Sequence, residues 1–570
     1  MKTQRYKDFI LGRRACVPPW LEPSRLLLWL VPISYLGIFF FYPLANILSY
    51  SFDLSALNLE NLKIAFGALQ FTIYQAFLST LLTLLLGLPA AWLFARFTFP
   101  GKALLRALTA IPFMLPTVVV AAGFNALLGP RGWFQTIFHL NSFRFTGTLF
   151  AILLAHVFYN TTIVIRIVGN AFANFDPRLD HAARVLGANL FQVWRYVRLP
   201  LLRPALLAAG LLVFIFDFTS FGVILLLGNA SMSTLEVEIY VQALKMLNLP
   251  MAAFLSIIQL LCTLVFAIFY TRISSRNATQ TSPRAARYNL HTAHRPVEKI
   301  FMVGMILILL VVYILPMAAL PLRSIARLEA ARGERGEVQY GLTLDYYAEL
   351  FVNRLGSSFY VPPVRAAINS LLYAALTIVL SLVMGFPAAF ALSRPGRLEK
   401  WLDPLLILPL GASAVTLGLG FVLSFNQPPL RLLASPSLVP LAHTLIALPF
   451  VIRTLQPALA SIPNQLRQAA ASLGASPLRV WQTVDWPITW RAVLAASSFA
   501  FTVSLGEFGA TLLLSRPDYP TIPVAIYRFL SQPGGLNYGQ AMAMATILMT
   551  LTTIGILVIE RVRIQGAGEF

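Results

Sequence analysis

Cysteine is nearly missing: Cys16 and Cys262 are the two in 570 residues. That excludes a disulfide framework and a thiolate metal cluster. Charge is scarce as well, at 11% of residues, and acidic side chains number 22 against 43 basic ones. A soluble protein of this length needs more polar surface to cover its cores. The phosphate-cradling pattern G-x-x-x-x-G-K-[ST] is absent, since Gly101-Lys102 is followed by Ala103, so the chain is not expected to bind ATP itself. H-E-x-x-H, G-x-S-x-G and paired Cys or His at metal spacing are missing too, which leaves no catalytic constellation to support an enzyme. No cofactor and no metal site are expected.

What the chain has instead is apolar length. Hydrophobic residues make up 58% of it and the mean hydropathy is +0.74. Runs of roughly 18 or more apolar residues, enough for helices crossing a ~30 Å hydrocarbon layer, recur throughout. Twelve spans are expected, at 26–48, 71–94, 108–127, 147–168, 205–227, 252–270, 300–320, 366–392, 405–424, 438–456, 493–514 and 542–559. Helix is the one open-chain solution in lipid, which offers backbone groups no partners. The expected class is therefore all-α and polytopic, a multi-pass protein of the plasma (inner) membrane. Pro89, Pro387 and Pro449 fall inside spans, as buried helices tolerate. The first run, Leu26 to Leu48, exceeds a signal-peptide core and lacks a small-residue cleavage site, so it is expected to be retained. Most of the Lys and Arg behind the net charge of +21 fall on one side of these spans. That is the positive-inside bias and not a nucleic-acid surface; it puts both termini in the cytoplasm.

The two halves of the chain are copies. "LGLPAAWLFAR" (Leu86–Arg96) matches "MGFPAAFALSR" (Met384–Arg394). Ala155-His156 matches Ala442-His443, Arg166 matches Arg453, Phe221-Gly222 matches Phe508-Gly509, and "TLEVEIY" from Thr234 matches "TIPVAIY" from Thr521. The spacing changes between Arg96 and Ala155, which places a length difference in a loop. Matching spans run in the same direction after six helices each, a parallel repeat about an axis along the membrane normal. The expected organisation is a tail and first helix (1–70), one membrane domain (71–270), a basic cytoplasmic linker with the seventh helix and an external segment (271–365), and a second membrane domain (366–560).

Between the fourth and fifth spans of each half lies a short water-compatible passage. "HAARVLGANLFQVWRYVRLP" runs from His181 to Pro200 and "QAAASLGASPLRVWQTVDWP" from Gln468 to Pro487. Each predicts a short Ala-rich helix, a turn at Gly187 or Gly474, and a second helix. In the first copy Phe191, Trp194 and Val197 form an apolar stripe suited to a membrane surface, with Arg195 and Arg198 directed elsewhere. An amphipathic anchor explains one such element; two in symmetric positions point to a two-fold cytoplasmic partner.

These passages resemble the EAA loop of binding-protein-dependent ABC importer permeases: Glu-Ala-Ala, three residues, Gly, nine residues, then a hydrophobic-x-hydrophobic-Pro ending. Ala182, Ala183, Gly187, Val197, Leu199 and Pro200 fit the first copy, and Ala469, Ala470, Gly474, Val484, Trp486 and Pro487 the second. His181 and Gln468 stand where the family has glutamate, which removes a specific ion pair but not the docking surface. The resemblance covers residues 71–270 and 366–560. It implies the type I ABC importer membrane fold, and it implies coupling loops that seat in two ABC ATPase subunits, with Ala188 and Ala475 beside the turns. It also implies an extracytoplasmic substrate-binding protein as partner. Two permeases in one chain, with "LLAHVFYN" (Leu153–Asn160), "STLEVEIYVQAL" (Ser233–Leu244) and "SLGEFGATLLL" (Ser504–Leu514), further resemble the thiamine and ferric-iron branch.

Membrane-depth polar residues are the candidate pathway groups. Asp217 and Glu507 lie in equivalent spans but out of repeat register, because Asp217 matches Ser504. A carboxylate in the path suits a cationic substrate, and a structural hydrogen bond suits it equally. For His156 and His443 an interhelical hydrogen bond is the simpler expectation; for Arg166 and Arg453, snorkelling at helix ends. The competing class is an ion-coupled secondary transporter with two parallel six-helix repeats, which leaves the paired loops unexplained.

Overall fold

The computed structural model describes residues 21–52, 58–138, 145–277, 290–327, 341–353, 360–393, 396–426, 428 and 431–563. Residues 278–289 of the expected linker, parts of the external segment, Cys16 and both termini lie outside the described residues. Helix dominates throughout, and the two short bridges found, Phe97 with His291 and Ala326 with Leu342, are isolated.

Ten helices are long and apolar enough to cross a membrane. In the first half these are α1 (Leu28–Ser51), α2 (Leu59–Arg96), α5 (Leu149–Ala173), α7 (Val193–Phe218) and α10 (Leu249–Ile273). Between them lie α3 (Lys102–Met114), α4 (Thr117–Leu128), α6 (Pro177–Val185), α8 (Gly222–Leu227) and α9 (Leu235–Tyr240). The second half repeats the order: α11 (Pro296–Ser324), α12 (Pro363–Leu392), α13 (Arg397–Gly411), α14 (Ala414–Phe425), α15 (Leu438–Ala460) and α16 (Asn464–Ser472). It continues with α17 (Leu478–Gly506), α18 (Gly509–Leu514), α19 (Ile522–Leu530) and α20 (Gly535–Leu557).

Four expected spans are not the straight rods the hydropathy implies. The third is α3 followed by the stretch from Thr117, bent by 107°, and the ninth is Leu398–Pro409 followed by α14, bent by 93°. Each counts as one span of twelve only if its bent pair is taken together. Proline explains the bends. Pro116 stands at the entry to α4 and Pro409 near the end of α13, and proline supplies no N–H and excludes the preceding turn. Beyond the second bend, Ser413 Oγ accepts from Thr416 N (3.0 Å) to restart the chain. The fifth and eleventh spans break near their far ends, at Thr219–Phe221 and Glu507–Phe508, so that α7 and α17 are followed by one-turn-and-a-half pieces, α8 and α18. The length difference between the halves has a structural counterpart: a short helix, Trp133–Phe138, follows α4 in the first half.

Helix packing inverts the pattern of a soluble protein. Along α2 the buried face is small or polar (Ala65, Ala68, Thr72, Gln75, Ala76, Ser79, Thr83, Gly87), while Phe77 and Leu85 stand more than half exposed to the lipid side. Small residues let backbones approach where lipid gives no hydrophobic drive between helices. A Cβ on Gly87 would stand 2.6 Å from Val164 on α5, and one on its counterpart Gly385 2.7 Å from Val451 on α15. The two core helix crossings are thus built alike.

The first helix of each half packs on the other half. Tyr35 Oη of α1's span donates to Leu441 O of α15 (2.5 Å) and Asn46 Nδ2 to Ser424 Oγ of α14 (2.8 Å). At Gly420 of α14 an added Cβ would meet Pro43 at 3.0 Å, and at Gly123 of α4 it would meet the Pro316 carbonyl of α11 at 2.9 Å. One apolar core accordingly runs through both halves, from Val118 and Ile152 to Leu419, Phe508 and Ile522.

Candidate functional site

The two repeated passages form matching hairpins. α6 ends at a turn whose Gly187 has φ +89°, and α16 at Gly474 with φ +80°. Both close with the same backbone pair: Gly187 N to Arg184 O (2.9 Å) with Ala188 N to Ala183 O (3.0 Å), and Gly474 N to Ala471 O (3.0 Å) with Ala475 N to Ala470 O (3.1 Å). This is the left-handed helix stop that favours glycine. Pro200 and Pro487 lie inside α7 and α17, each just after a π-helical turn. His181, Ala182, Gln468 and Ala469 are exposed, and Ala183, Ala188, Ala470 and Ala475 are half-buried. At the tips Leu186 is 88% and Leu473 89% exposed. Equivalent bare leucines at two helix ends offer a paired apolar contact to something outside this chain.

The expected amphipathic second helix is corrected in one respect. It is the start of α7 itself, entered through a wide π-helical turn at Val193–Arg198, repeated at Trp481–Asp485. Of the stripe, Phe191 is 73% and Trp194 41% exposed, while Arg198 is buried. Arg198 folds back on α6, where its Nε reaches both oxygens of Asp180 (3.2 and 3.1 Å) and its Nη2 also bonds Oδ2. Its guanidinium lies 5.1 Å from the Trp92 ring centre. In the second half Arg467 Nε donates to Asp485 Oδ1 at 2.6 Å. Sequence reasoning missed both pairs. Their signal was present as opposite charges 18 residues apart in each copy.

Deeper in the membrane, the histidines meet the expectation of interhelical hydrogen bonds. His156 Nδ1 shares a hydrogen bond with Ser79 Oγ (2.9 Å) and Nε2 one with Ser220 Oγ (2.9 Å); Asp217 Oδ1 stands 3.4 Å from Nδ1. His443 Nδ1 bonds Ser504 Oγ and Nε2 bonds Thr511 Oγ1, both at 2.8 Å, with Glu507 Oε2 3.4 Å from Nε2. The register puzzle resolves here. Each histidine lies between a carboxyl and a serine on its fifth-span break, and the two have exchanged places between the halves.

Asp217 is fully enclosed. Its Oδ1 accepts from Asn160 Nδ2 (2.7 Å) and its carbonyl from Gln75 Nε2 (2.8 Å), while Oδ2 has no hydrogen-bond partner among the described residues. Glu507 is 8% exposed and caps α18, accepting from Ala510 N (2.8 Å), Thr511 N (2.9 Å) and Thr511 Oγ1 (2.5 Å). A carboxylate at a helix start satisfies donors that have no partner within the helix.

At the breaks the halves touch through equivalent residues. The Phe221 and Phe508 rings stack with centres 5.6 Å apart and planes 26° apart, and the Tyr240 and Tyr527 hydroxyls meet at 3.1 Å. Phe221 also packs on Tyr240 and Phe508 on Tyr527, each at 5.6 Å. Equivalent residues can meet only on the pseudo-two-fold axis. α7 places this quartet about 39 Å from the hairpins at 1.5 Å rise per residue, so it lies towards the opposite face. α9 and α19 are anchored alike, Leu235 N on Thr72 Oγ1 (2.9 Å) and Ile522 N on Ser370 Oγ (3.0 Å). A separate apolar groove of about 410 Å³ opens between the first half and α11, among Leu88, Trp92, Phe172, Trp194, Leu202 and Phe301. Among the described residues there is no group of three or more His, Cys, Asp or Glu that could hold a metal ion.

The chain resembles known proteins over most of its length. Residues 83–279 match the family model "Binding-protein-dependent transport system inner membrane component". The thiamine transport system permease protein ThiP of Brucella abortus (strain 2308) is 26% identical over 497 residues, 86% of this chain and 87% of that protein. ThiP of Escherichia coli (strain K12) is 26% identical over 86% of this chain and 88% of its own. A probable ABC transporter permease, y4fN of Sinorhizobium fredii, is 25% identical over 88% and 89%. Nothing in these likenesses favours the ion-coupled carrier. The repeat, the paired hairpins and the matches together support an ABC importer permease of the binding-protein-dependent type, with both membrane halves fused in one polypeptide.

Proposed function

We propose that the chain forms the translocation pathway of a thiamine importer. Two ATPase subunits receive the hairpin tips at Leu186 and Leu473, and an extracytoplasmic binding protein delivers substrate to the opposite face. The termini and hairpins lie in the cytoplasm, as the positive-inside bias implies. The observation that carries this reading is the pair of equivalent, exposed Schellman-stopped hairpins; thiamine enters from the names of the relatives that span the chain. ATP-driven closure of the two subunits would draw the hairpins together and part the halves along the axis, with hydrolysis occurring on the partners. The substrate would pass between Phe221 and Phe508, and Asp217 and Glu507, close in sequence to those rings, would offer charge to a cation once the halves part.

The test is uptake by vesicles holding the permease with its ATPase subunits and cognate binding protein. ATP-dependent accumulation of thiamine, abolished without the ATPase, is the expected result. Ferric iron taken up in its place would overturn the substrate, and uptake driven by an ion gradient without ATPase would overturn the mechanism.

A further inference from the structure

The two hairpin ion pairs occupy the same positions with their charges exchanged. In the first half the short helix α6 supplies the acid and α7 the base, Asp180 with Arg198; in the second, α16 supplies the base and α17 the acid, Arg467 with Asp485. Both pairs join residues 18 apart in sequence, and Asp180, Arg198 and Asp485 are each less than 9% exposed. A charge kept to meet a partner would be exposed and of one sign in both copies. Burial and reversed sign together say that only the closed pair matters.

We propose that each pair is a clasp locking the exposed arm of its hairpin to the base of the fifth span, so that a push on the tip moves α7 or α17 as a lever. These are positioning residues, and the proposal rests on the reading of the hairpins as ATPase-docking loops. Without the clasp each arm hangs from α7 or α17 by the glycine turn, and its movement is lost in bending at φ +89° or +80°. Removing one partner of a buried pair also leaves an uncompensated charge. The first-half clasp has its polarity fixed by surroundings: Arg96 Nη2 lies 3.8 Å from Asp180, and Arg198 lies over the Trp92 and Trp194 rings at 5.1 and 5.6 Å. The second half is therefore the place to reverse a clasp.

The experiment uses the full permease assembled with its ATPase and binding protein in proteoliposomes, reading uptake per ATP hydrolysed for each assembled complex. R467D and D485R are each expected to lower that ratio about tenfold, and R467D/D485R to return within about twofold of wild type, as for a coupled pair in a double-mutant cycle. D485N, which keeps shape and loses charge, is expected to assemble normally and still lose coupling. A wild-type ratio in D485N, or a double variant no better than the singles in ratio or in assembly, overturns the clasp. Cysteines at Ala188 and Ala475 separate the two readings. If they cross-link to the ATPase while reversal fails to rescue, the clasp is wrong; if neither cross-links in the active complex, the docking assignment itself fails.

Discussion

Asp217 and Glu507 show how one residue type serves two local purposes. Glu507 Oε1 and Oε2 take three donors at the start of α18, so glutamine there, with one oxygen in place of two, forfeits part of a cap worth about 1 kcal/mol. Asp217 accepts through Oδ1 alone, a bond asparagine can still accept. Glu507→Gln is therefore expected to lower the thermal stability of the detergent-solubilised permease measurably, and Asp217→Asn to leave it nearly unchanged. Both are expected to impair uptake because they remove a carboxyl close in sequence to the Phe221–Phe508 contact; normal uptake in both removes these carboxyls from the pathway. At this scale the sequence was only partly legible. Gly187 and Gly474 could be read as turns because a left-handed stop favours glycine. The exchange of Asp217 with Ser220 for Ser504 with Glu507 could not, since it depends on which ring nitrogen of His156 or His443 each group faces.

At the scale of elements, apolarity located the spans and missed their breaks. Hydropathy averages over a window and does not register Pro116, or a polar residue placed to cap a restarted helix, as Glu507 and Ser413 do. The breaks matter because they turn α8, α9, α18 and α19 inward at the axis, where the aromatic quartet closes one contact between equivalent residues. A closure that must part for transport can be tethered. With Tyr240 and Tyr527 replaced by cysteine, a short bis-maleimide is expected to link the two halves within one chain in the resting complex and to stop uptake, while each single variant treated alike remains active. Linkage that leaves uptake intact would show that the halves need not separate there.

For the whole molecule, fusion and mutual embrace are separate facts. The repeat told of two halves but not that α1 belongs to the second and α11 to the first, because an apolar helix carries no address of its own. The close approaches supply it: Pro43 against Gly420 and Pro316 against Gly123, with Tyr35 and Asn46 bonding across the halves. Glycine opposite proline at both sites allows backbone contact that a side chain would prevent. Each half thus completes its core with a helix borrowed from the other, and the covalent link between the halves should add proximity alone to contacts that already hold them together. Cutting the chain between Asn277 and Leu290 and co-expressing residues 1–277 with 290–570 is expected to give two pieces that co-purify and support uptake. Either piece expressed alone, with one embracing helix unpartnered and one groove open, is expected to be degraded or to aggregate. A fragment that is stable by itself would contradict the embrace. Gly420→Leu in the C-terminal piece should weaken co-purification, because its side chain would occupy the space Pro43 now fills.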